Sequence, residues 1–181
     1  MYDKNREVIA TSVTNLELHD IARSCMTFGI ELCYIVTPLV KQRQISEKLI
    51  HHWEHGYGAT YNPKRSVALK RVRIIDDLEK VLEEIKIDGA PIIIGTSSQE
   101  RPHKAIGYQE LRAWTEKEER PFLLLFGTGW GLTDETTDLC EKMLVPIKGT
   151  GEYNHLSLRV ALGIIFDRIF GERGDKNERD D

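Results

Sequence analysis

Short apolar runs alternate along this chain with segments in which apolar side chains recur every three or four positions. The runs PIIIG and PFLLLF are apolar without interruption, which is typical of strands covered on both faces of a sheet. Clusters rich in glycine, proline, asparagine and serine separate these segments from their neighbours. The predicted strands cover residues 7–13, 31–37, 72–75, 90–95, 122–126 and 143–147.

The segments with helical periodicity lie between these strands. Residues 15–28 carry one broad apolar stripe, and Gly29 suits the position after the last helical turn. Thr14 or Asn15 can cap the first turn. Residues 56–65, with the sequence GYGATYNPKR, predict a loop. Further helices are predicted over residues 46–55, 76–87, 108–118 and 155–170, with a short one after Thr133 or Asp134.

Strands that alternate with helices predict an α/β fold, with a mainly parallel sheet and helices on both faces. Residues 1–170 are predicted to form one domain, and the charged residues 171–181 a disordered tail. The longest apolar runs are too short to cross a bilayer, and the charged N-terminus lacks the apolar core of a signal peptide. A cytoplasmic protein without a membrane partner is therefore predicted.

Charge and cysteine content narrow the classes of partner. The formal net charge of −4 and the pI of about 5.9 do not indicate a nucleic-acid binder, so any RNA contact must come from a local basic surface. Cys25, Cys33 and Cys140 lack metal-ligand or redox spacing, and they are predicted to be free thiols in a reducing compartment. The histidines of residues 51–55 lack accompanying cysteine or aspartate ligands, so no metal site is predicted.

A glycine-rich turn, GTGWGL, follows the strand predicted over residues 122–126. Glycines at alternate positions let the backbone approach a ligand closely, with adjacent N–H groups facing it. A phosphate-binding loop would need a lysine and a serine or threonine after the last glycine, and a dinucleotide fingerprint would follow the first strand as GxGxxG. Neither pattern is present, which disfavours a nicotinamide-dependent reductase and leaves either a tight structural turn or another ligand site.

The C-terminal segment, residues 144–170, reads LVPIKGTGEYNHLSLRVALGIIFDRIF. A strand ends near Pro146, a loop with two glycines follows, and Asn154, His155 and Ser157 open a long apolar helix. Free backbone donors at a helix N-terminus attract electronegative ligand atoms. The same residue types are ordinary helix caps, so a ligand site and a plain cap both fit the pattern.

A third segment interleaves aromatic rings with cations. Residues 51–57 read HHWEHGY, residues 61–65 read YNPKR, and residues 70–73 read KRVR. Such rings can stack on splayed RNA bases while lysine and arginine contact phosphates. The alternative is a solvated loop in which Trp53 and Tyr61 pack inward.

The two glycine-containing segments, in this order, resemble the second and third motifs of the SPOUT methyltransferases. Residues 15–29, NLELHDIARSCMTFG, resemble the first motif, in which an asparagine and an arginine precede a small-residue helix that ends in a bulky residue and glycine. The chain looks most like small bacterial RNA methyltransferases that are compared with the C-terminal domain of tRNA guanine-N1 methyltransferases. The resemblance implies a C-terminal trefoil knot, S-adenosylmethionine (SAM) as cofactor and an RNA substrate, either tRNA or rRNA. It also implies a homodimer through the C-terminal helix, in which the partner subunit completes the active site.

The resemblance also implies individual site residues. Arg23 matches the first-motif arginine, which in ribose-methylating members activates the acceptor hydroxyl or binds its phosphate. Ser157 matches the small polar residue of the third motif. The implied catalytic residues are Arg23, Asn154, His155 and Ser157. SAM is implied to contact Thr96, Ser97, Phe126, Gly127, Thr128, Gly129, Gly131, Pro146, Ile147, Lys148, His155 and Leu156.

Departures from the ribose-methylating pattern leave the methylated atom open. His155 stands where an asparagine is usual, unless the alignment shifts by one residue and Asn154 takes that role. Asn15 also lies two residues further from Arg23 than usual. The second motif also lacks the glutamate that ribose methylators often carry. Base and ribose 2′-O methylation are both candidates, with Asp20 as a candidate general base for a base nitrogen. The predicted function is SAM-dependent RNA methylation, and the alternative is a non-catalytic SPOUT-fold protein that binds RNA or cofactor.

Overall fold

The computed structural model describes residues 1–86 and 89–173. The strands are β1 (Cys33–Val36), β2 (Val72–Ile75), β3 (Ile92–Gly95), β4 (Ala105–Ile106), β5 (Phe122–Leu125) and β6 (Lys142–Leu144). β1 and β2 form one parallel sheet, and the other four form a second parallel sheet with the order β4-β6-β3-β5. The helices are α1 (Asn15–Thr27), α2 (Val40–His55), α3 (Tyr57–Tyr61), α4 (Pro63–Leu69), α5 (Leu78–Ile85), α6 (Tyr108–Thr115), α7 (Asp134–Asp138) and α8 (Leu158–Phe170).

The alternation of parallel strands and helices confirms the predicted α/β class. The parallel strands divide into two sheets rather than the one expected, since within the described residues β1 and β2 pair only with each other. β4 escapes prediction because two residues are too short to carry a hydrophobic pattern. The predicted strands over residues 31–37, 72–75, 90–95 and 122–126 contain β1, β2, β3 and β5, whereas the strand predicted over residues 143–147 overlaps β6 at residues 143 and 144 only.

The prediction of a strand over residues 7–13 is wrong. The N-terminal segment makes only an isolated antiparallel bridge between Tyr2 and Val8, around a turn in which Arg6 has a φ of 63°. Val8 and Ile9 are adjacent, and both are exposed. The β-branched residues Val8 and Ile9 therefore give a strand signal in the sequence without the burial that would fix them in a sheet.

The prediction of a loop over residues 56–65 is also wrong. α2 begins at Val40, earlier than predicted, and α3 and α4 follow it after single-residue breaks. The Asn62 side-chain oxygen caps α4 by accepting a hydrogen bond from the Arg65 N–H, 3.1 Å away, and Pro63 occupies the first turn. Asparagine and proline therefore act here as helix-start signals rather than as loop signals.

α1 connects the two sheets. Leu18 and Ala22 pack into the core cluster that includes residues of α4 and β2. Ile21 and Cys25 pack into the larger cluster between α8 and the four-stranded sheet. Successive side chains on a helix point in different directions, so one helix can take part in both clusters. The position of α1 is therefore fixed by packing into two core clusters.

Helices cover both faces of the four-stranded sheet. Ile92, Ile94 and Leu144 pack with residues of α1, α6 and α8, whereas Ile93 belongs to a separate cluster with Leu78 of α5. Because neighbouring strand residues point to opposite faces, these clusters lie on the two sides of the sheet. Within residues 1–86 and 89–173, none of the helices combines the length and the apolar character needed to cross a membrane.

Two sequence predictions fall partly outside the described residues. The helix predicted over residues 76–87 is described as far as Ile85, and residue 87 is not described. Of the tail predicted over residues 171–181, residues 174–181 lie outside the described part. At its start, the Gly171 carbonyl accepts a hydrogen bond from the Arg112 guanidinium, at 2.8 Å.

Candidate functional site

One cavity lies at the carboxyl ends of β3, β5 and β6. Its walls are residues 96–99 after β3, residues 126–131 after β5 and residues 145, 147 and 154–157 after β6, together with α1 and α8. Its volume is ≈ 640 Å³. Loops that follow parallel strands emerge at the same edge of the sheet, which is where open α/β sheets bind ligands.

Most of the residues implied by the sequence motifs meet at this cavity. Pro146 and Lys148 are not among the described lining residues, and Lys148 instead forms an exposed ion pair with Glu100. The catalytic and SAM-binding roles that the sequence motifs imply for these residues stay predictions. Those that line the cavity are Thr96, Ser97, Phe126, Gly127, Thr128, Gly129, Gly131, Ile147, Asn154, His155, Leu156 and Ser157.

The glycine-rich turn requires glycine at each of its three glycine positions. Gly129 and Gly131 have φ values of 59° and 102°, a left-handed backbone that other residues rarely adopt. A side chain at Gly127 would place its Cβ 2.9 Å from the Leu132 backbone nitrogen. The turn therefore presents backbone to the cavity in a conformation that side-chain-bearing residues would strain.

The N-terminal segment packs against this turn. The Trp130 N–H donates to the Tyr2 carbonyl and the Tyr2 N–H donates to the Gly131 carbonyl, both at 3.1 Å. The Thr11 and Thr128 hydroxyls share a hydrogen bond of 2.7 Å. The segment that resembles a strand in sequence thus positions the glycine-rich turn.

Side chains also join the other two loops of the cavity. The Asn154 side-chain N–H₂ donates to the Ser98 carbonyl at 2.9 Å, which ties the loop before α8 to the loop after β3. The Tyr108 hydroxyl donates to the Val145 carbonyl at 3.0 Å. Burial raises the pKa of Tyr108, so its hydroxyl keeps the proton that it donates.

Ser157 occupies the N-cap position of α8, but its side chain makes no capping hydrogen bond within the described residues. The Asn154 side chain, the other cap candidate, donates to the Ser98 carbonyl instead, so neither side chain caps α8 within the described residues. The Ser157 hydroxyl lines the cavity at the N-terminus of a 13-residue helix, where backbone N–H groups lack helical partners. Both the hydroxyl and these N–H groups can contact a ligand.

Arg23 and Asp20 do not line this cavity. They border a separate cleft of ≈ 400 Å³ between α1 and α8. There the Arg159 guanidinium donates to the Asp20 carboxylate at 2.7 Å. The structure therefore brings Arg23 beside Asp20 and Arg159, and not beside Ser157 of the same chain.

Glu17 is a lining residue that sequence reasoning missed. It is the one carboxylate among the described lining residues, which include no lysine or arginine. Its carboxylate accepts hydrogen bonds from the Thr14 N–H at 2.8 Å and the Thr14 hydroxyl at 2.7 Å. The signal that could have found it is the capping-box pattern Thr-x-x-Glu at the start of α1. Trp130 also lines the cavity and belongs to the GTGWGL turn that the sequence singles out, whereas nothing in the sequence marks Tyr108, another lining residue.

The aromatic and basic segment contributes no residue to the cavity wall within the described lining. Trp53 packs inward, as one interpretation predicts, with its ring edge-on to His19 and under the Arg65 guanidinium, which lies 4.6 Å from the ring centre. Tyr61 does not pack inward, because it is 72% exposed. Across the described residues, no group of three or more His, Cys, Asp and Glu side chains is placed to hold a metal ion.

Sequence comparison identifies relatives over nearly the whole chain. A family model described as SAM-dependent RNA methyltransferase matches residues 1–171. A tRNA (guanine-N(1)-)-methyltransferase of Nitratidesulfovibrio vulgaris is 40% identical over 171 residues, covering 93% of this chain and 39% of that protein. This chain thus spans about two fifths of the length of that relative.

Solved structures with the same fold include one named as a tRNA modifying enzyme and one named as a SpoU methyltransferase. The Aquifex aeolicus TrmH/SpoU tRNA modifying enzyme has a TM-score of 0.55 and 21% identity, covering 87% of this chain and 70% of that one. The SpoU methyltransferase AviRb of Streptomyces viridochromogenes, solved with AdoMet, has a TM-score of 0.55 and 15% identity, covering 93% and 64%. At these identities the likeness concerns the fold, and it confirms the α/β architecture. The trefoil knot stays a prediction.

Proposed function

This chain belongs to the family of SAM-dependent RNA methyltransferases, as its sequence motifs predict, and we propose that it transfers a methyl group from SAM to a nucleotide of tRNA. The name of the N. vulgaris relative supports tRNA as the acceptor. Since the chain spans about two fifths of that relative, the methylated atom is not carried over. Base and ribose positions both stand as candidates. A tRNA acceptor would place the reaction in the cytoplasm.

The observation that carries this proposal is the cavity at the carboxyl ends of the strands. Its ≈ 640 Å³ suits a nucleoside-sized ligand. Leu144, Ile147 and Ile165 offer an apolar surface to an adenine ring. The Thr96 and Ser97 hydroxyls can form hydrogen bonds with the ribose hydroxyls.

The charge of the cavity favours SAM over a phosphate-bearing cofactor. The described lining residues hold one carboxylate, Glu17, and no lysine or arginine. A pyrophosphate would need cations or a glycine-rich loop on a helix N-terminus in a dinucleotide pattern, whereas a sulfonium cation is favoured near a carboxylate. The lining therefore fits a cofactor that carries a positive charge.

When bound, SAM would supply a methyl group that its sulfonium makes electrophilic, so the task of the chain is to orient the acceptor and take its proton. Glu17 and His155 are the lining groups of the type that can accept that proton. The two hydrogen bonds from Thr14 hold the Glu17 carboxylate in place. The Ser157 hydroxyl, which makes no capping hydrogen bond within the described residues, can orient the acceptor by a hydrogen bond.

A homodimer through α8 forms part of the proposal. Leu156, just before this helix, and Val160, in its first turn, are 46% and 48% exposed. Exposed apolar side chains near one end of a helix favour burial against a partner. Arg23 borders the cleft that also includes Val160, so a partner packed on α8 would meet Arg23. This arrangement would bring Arg23 to a site shared by two subunits.

The proposal is tested by calorimetric titration of SAM into the wild type and into Ala161→Phe. Ala161 lines the cavity on α8, and a phenyl ring there would fill part of the space for the ligand. We expect the affinity to fall on the order of a hundredfold, because loss of a shape-matched site removes several kcal/mol of binding. Ala113→Phe, on the exposed face of α6, is the matched control and should bind SAM as the wild type does.

Methyl transfer is measured in the same samples with methyl-labelled SAM and total tRNA. Label that enters tRNA in the wild type and the control, but not in Ala161→Phe, would support the proposal. Absence of SAM binding by the folded wild type would contradict it. SAM binding without transfer to any RNA would favour the non-catalytic binding protein instead.

A further inference from the structure

The helices α2, α3 and α4 with the start of β2, residues 40–73, form a surface that we name the basic corner. It holds eight lysine and arginine residues against two glutamates, a net charge of +6 in a chain of net charge −4. Within the described residues, none of these eight cations makes an ion pair with a carboxylate. Ion pairing of lysine and arginine is confined to other parts of the described chain. The basic corner therefore keeps its positive charge unneutralised.

Some of these cations have structural partners, and others do not. The Arg43 guanidinium donates to the Thr37 carbonyl at 3.0 Å, and the Arg71 guanidinium donates to the Ile30 carbonyl at 2.6 Å. Lys48, Lys64 and Lys70 are exposed. Exposed cations without a neighbouring carboxylate are the ones available to an anionic ligand.

Exposed aromatic rings stand among these cations. The Tyr57 and Tyr61 rings, one helical turn apart on α3, are stacked with centroids 6.0 Å apart and planes at 27°, and they are 73% and 72% exposed. The exposed His51 and His55 rings on α2 are stacked in the same way, 4.8 Å apart at 30°. Large rings that present their faces to water and not to the core offer stacking surface to a ligand.

We propose that the basic corner is a single-stranded RNA surface, on which a base stacks against the Tyr57–Tyr61 pair while Lys64 and Lys70 contact the flanking phosphates. Exposed ring faces beside unpaired cations are the combination by which proteins bind unpaired nucleotides. The inference rests on the proposed function only in that it names RNA as the substrate class, and it assigns where that RNA is held. A protein partner would need acidic side chains to pair with the same cations. The test therefore also measures binding of an acidic peptide.

The basic corner is joined to the cavity by α2. At the start of this helix, the Gln42 side-chain N–H₂ donates to the Val13 carbonyl at 3.0 Å, next to the Thr14–Glu17 turn that borders the cavity. At its other end α2 leads into α3 and the tyrosine pair. Sixteen helical residues span roughly 24 Å. An RNA strand held at the tyrosines would thus need several nucleotides to reach the cavity.

The test uses a fluorescein-labelled single-stranded oligouridine of about 12 nucleotides that contains one 2-aminopurine. Fluorescence anisotropy measures affinity, and 2-aminopurine quenching reports stacking. We expect Tyr57→Ala/Tyr61→Ala to weaken binding on the order of tenfold and to abolish the quenching, because base stacking on an aromatic ring is lost. Tyr57→Phe/Tyr61→Phe should retain both, because stacking needs the ring and not the hydroxyl.

The phosphate contacts are tested by salt dependence. Lys64→Gln/Lys70→Gln should reduce the slope of log affinity against log salt by about 1.4, since each phosphate contact to a single strand contributes about 0.7. Lys117→Gln/Arg120→Gln removes the same charge at the amino end of β5 and should leave the slope unchanged. Circular dichroism of each variant confirms folding, and all the changed side chains are exposed.

Wild-type affinity and quenching in the tyrosine-to-alanine variant would overturn the inference, and so would equal slopes in the two charge variants. Binding of an acidic peptide but not of the oligonucleotide would assign the surface to a protein partner and overturn it as well. SAM titration of the same variants separates the two proposals. RNA binding that depends on the basic corner in a protein that does not bind SAM would leave this inference standing without the proposed function. Methyl transfer to tRNA that is unchanged in the variants of the basic corner would leave the proposed function standing and overturn this inference.

Discussion

The region around β1 and β2 and the region around β3 to β6 use charged residues in different ways. The cations of the basic corner in the first region make no ion pair within the described residues. In the second region Arg112 is 3.6 Å from Glu116, and Arg120 is 3.2 Å from Glu118. A cation beside a carboxylate interacts less with an added phosphate, because the local potential is already reduced. The difference favours an anionic ligand for the first region.

The second region differs also in how it forms a binding surface. Its cavity is bounded by three loops, with glycine backbone on one side and apolar side chains on the other, and no lysine or arginine is among the described lining residues. The basic corner is instead an open surface built on helices. A concave cavity without cations suits a small cofactor, and an open cationic surface suits a polymer. The comparison therefore supports a separation of cofactor and RNA between the two regions.

The first and largest expected effect tests whether these regions fold as one unit. Leu69 and Leu111 are fully buried in the two separate core clusters. We expect Leu69→Ala and Leu111→Ala each to lower the free energy of unfolding by about 2–5 kcal/mol, because each leaves a cavity in a packed core. Since α1 packs into both clusters, urea unfolding followed by fluorescence and by circular dichroism should show one shared transition in both variants. Two separate transitions would mean that the regions are independent.

A smaller change in the free energy of unfolding is expected when glycine is replaced by alanine in the second region, and its sign should depend on the space around the glycine. A Cβ at Gly95, at the end of β3, would lie 2.8 Å from the Cys140 sulfur. We expect Gly95→Ala to lower the free energy of unfolding by about 1–3 kcal/mol, because the buried neighbours must move. A Cβ at Gly163, inside α8, would meet no described atom within 4 Å. Gly163→Ala should raise stability by about 0.5–1 kcal/mol, because alanine favours the helix.

Thermal unfolding of Gly95→Ala and Gly163→Ala measures these two changes in stability. A neutral Gly95→Ala would contradict the close packing of β3 on the loop before β6. Destabilisation by Gly163→Ala, or a loss of self-association, would mean that a second subunit covers this face of α8.

The smallest effect concerns pH in the first region. Burial, helped by the hydrogen bond that its hydroxyl donates to Glu84 at 3.1 Å, raises the pKa of Tyr34 to about 12. An unfolded tyrosine ionises near its ordinary pKa of about 10, so between these values the unfolded state holds fewer protons than the folded state. The stability from Tyr34 is therefore fully present below about pH 10 and is lost as the pH rises towards about 12.

Urea unfolding at a series of alkaline pH values measures this loss. Stability of the wild type should fall more steeply with pH than that of Tyr34→Phe, which has no hydroxyl to ionise. We expect the difference to be small, because Tyr34 is partly exposed and solvent screens its interaction with Glu84. Equal slopes for the two proteins would contradict the raised pKa.

The sequence by itself determined most of the strands and helices, though not the structure of residues 7–13 and 56–65 or the two-residue strand β4. The runs PIIIG and PFLLLF could be recognised because both faces of β3 and β5 are covered, and such strands tolerate no polar position. The resemblance to the SPOUT methyltransferases also implied that the two glycine-containing loops contribute to one ligand site, and both loops line the same cavity. The family followed from the order of the motifs.

Only the tertiary structure decided what these elements pack against. It set the N-terminal segment against the glycine-rich turn, brought Glu17 to the cavity and left Arg23 in a different cleft. It also turned Tyr61 outward while Trp53 packed inward. Periodicity reports that a face is buried, but the direction of a side chain depends on backbone turns and on contacts between residues far apart in the chain. Those contacts exist only once α1 has packed between the two sheets.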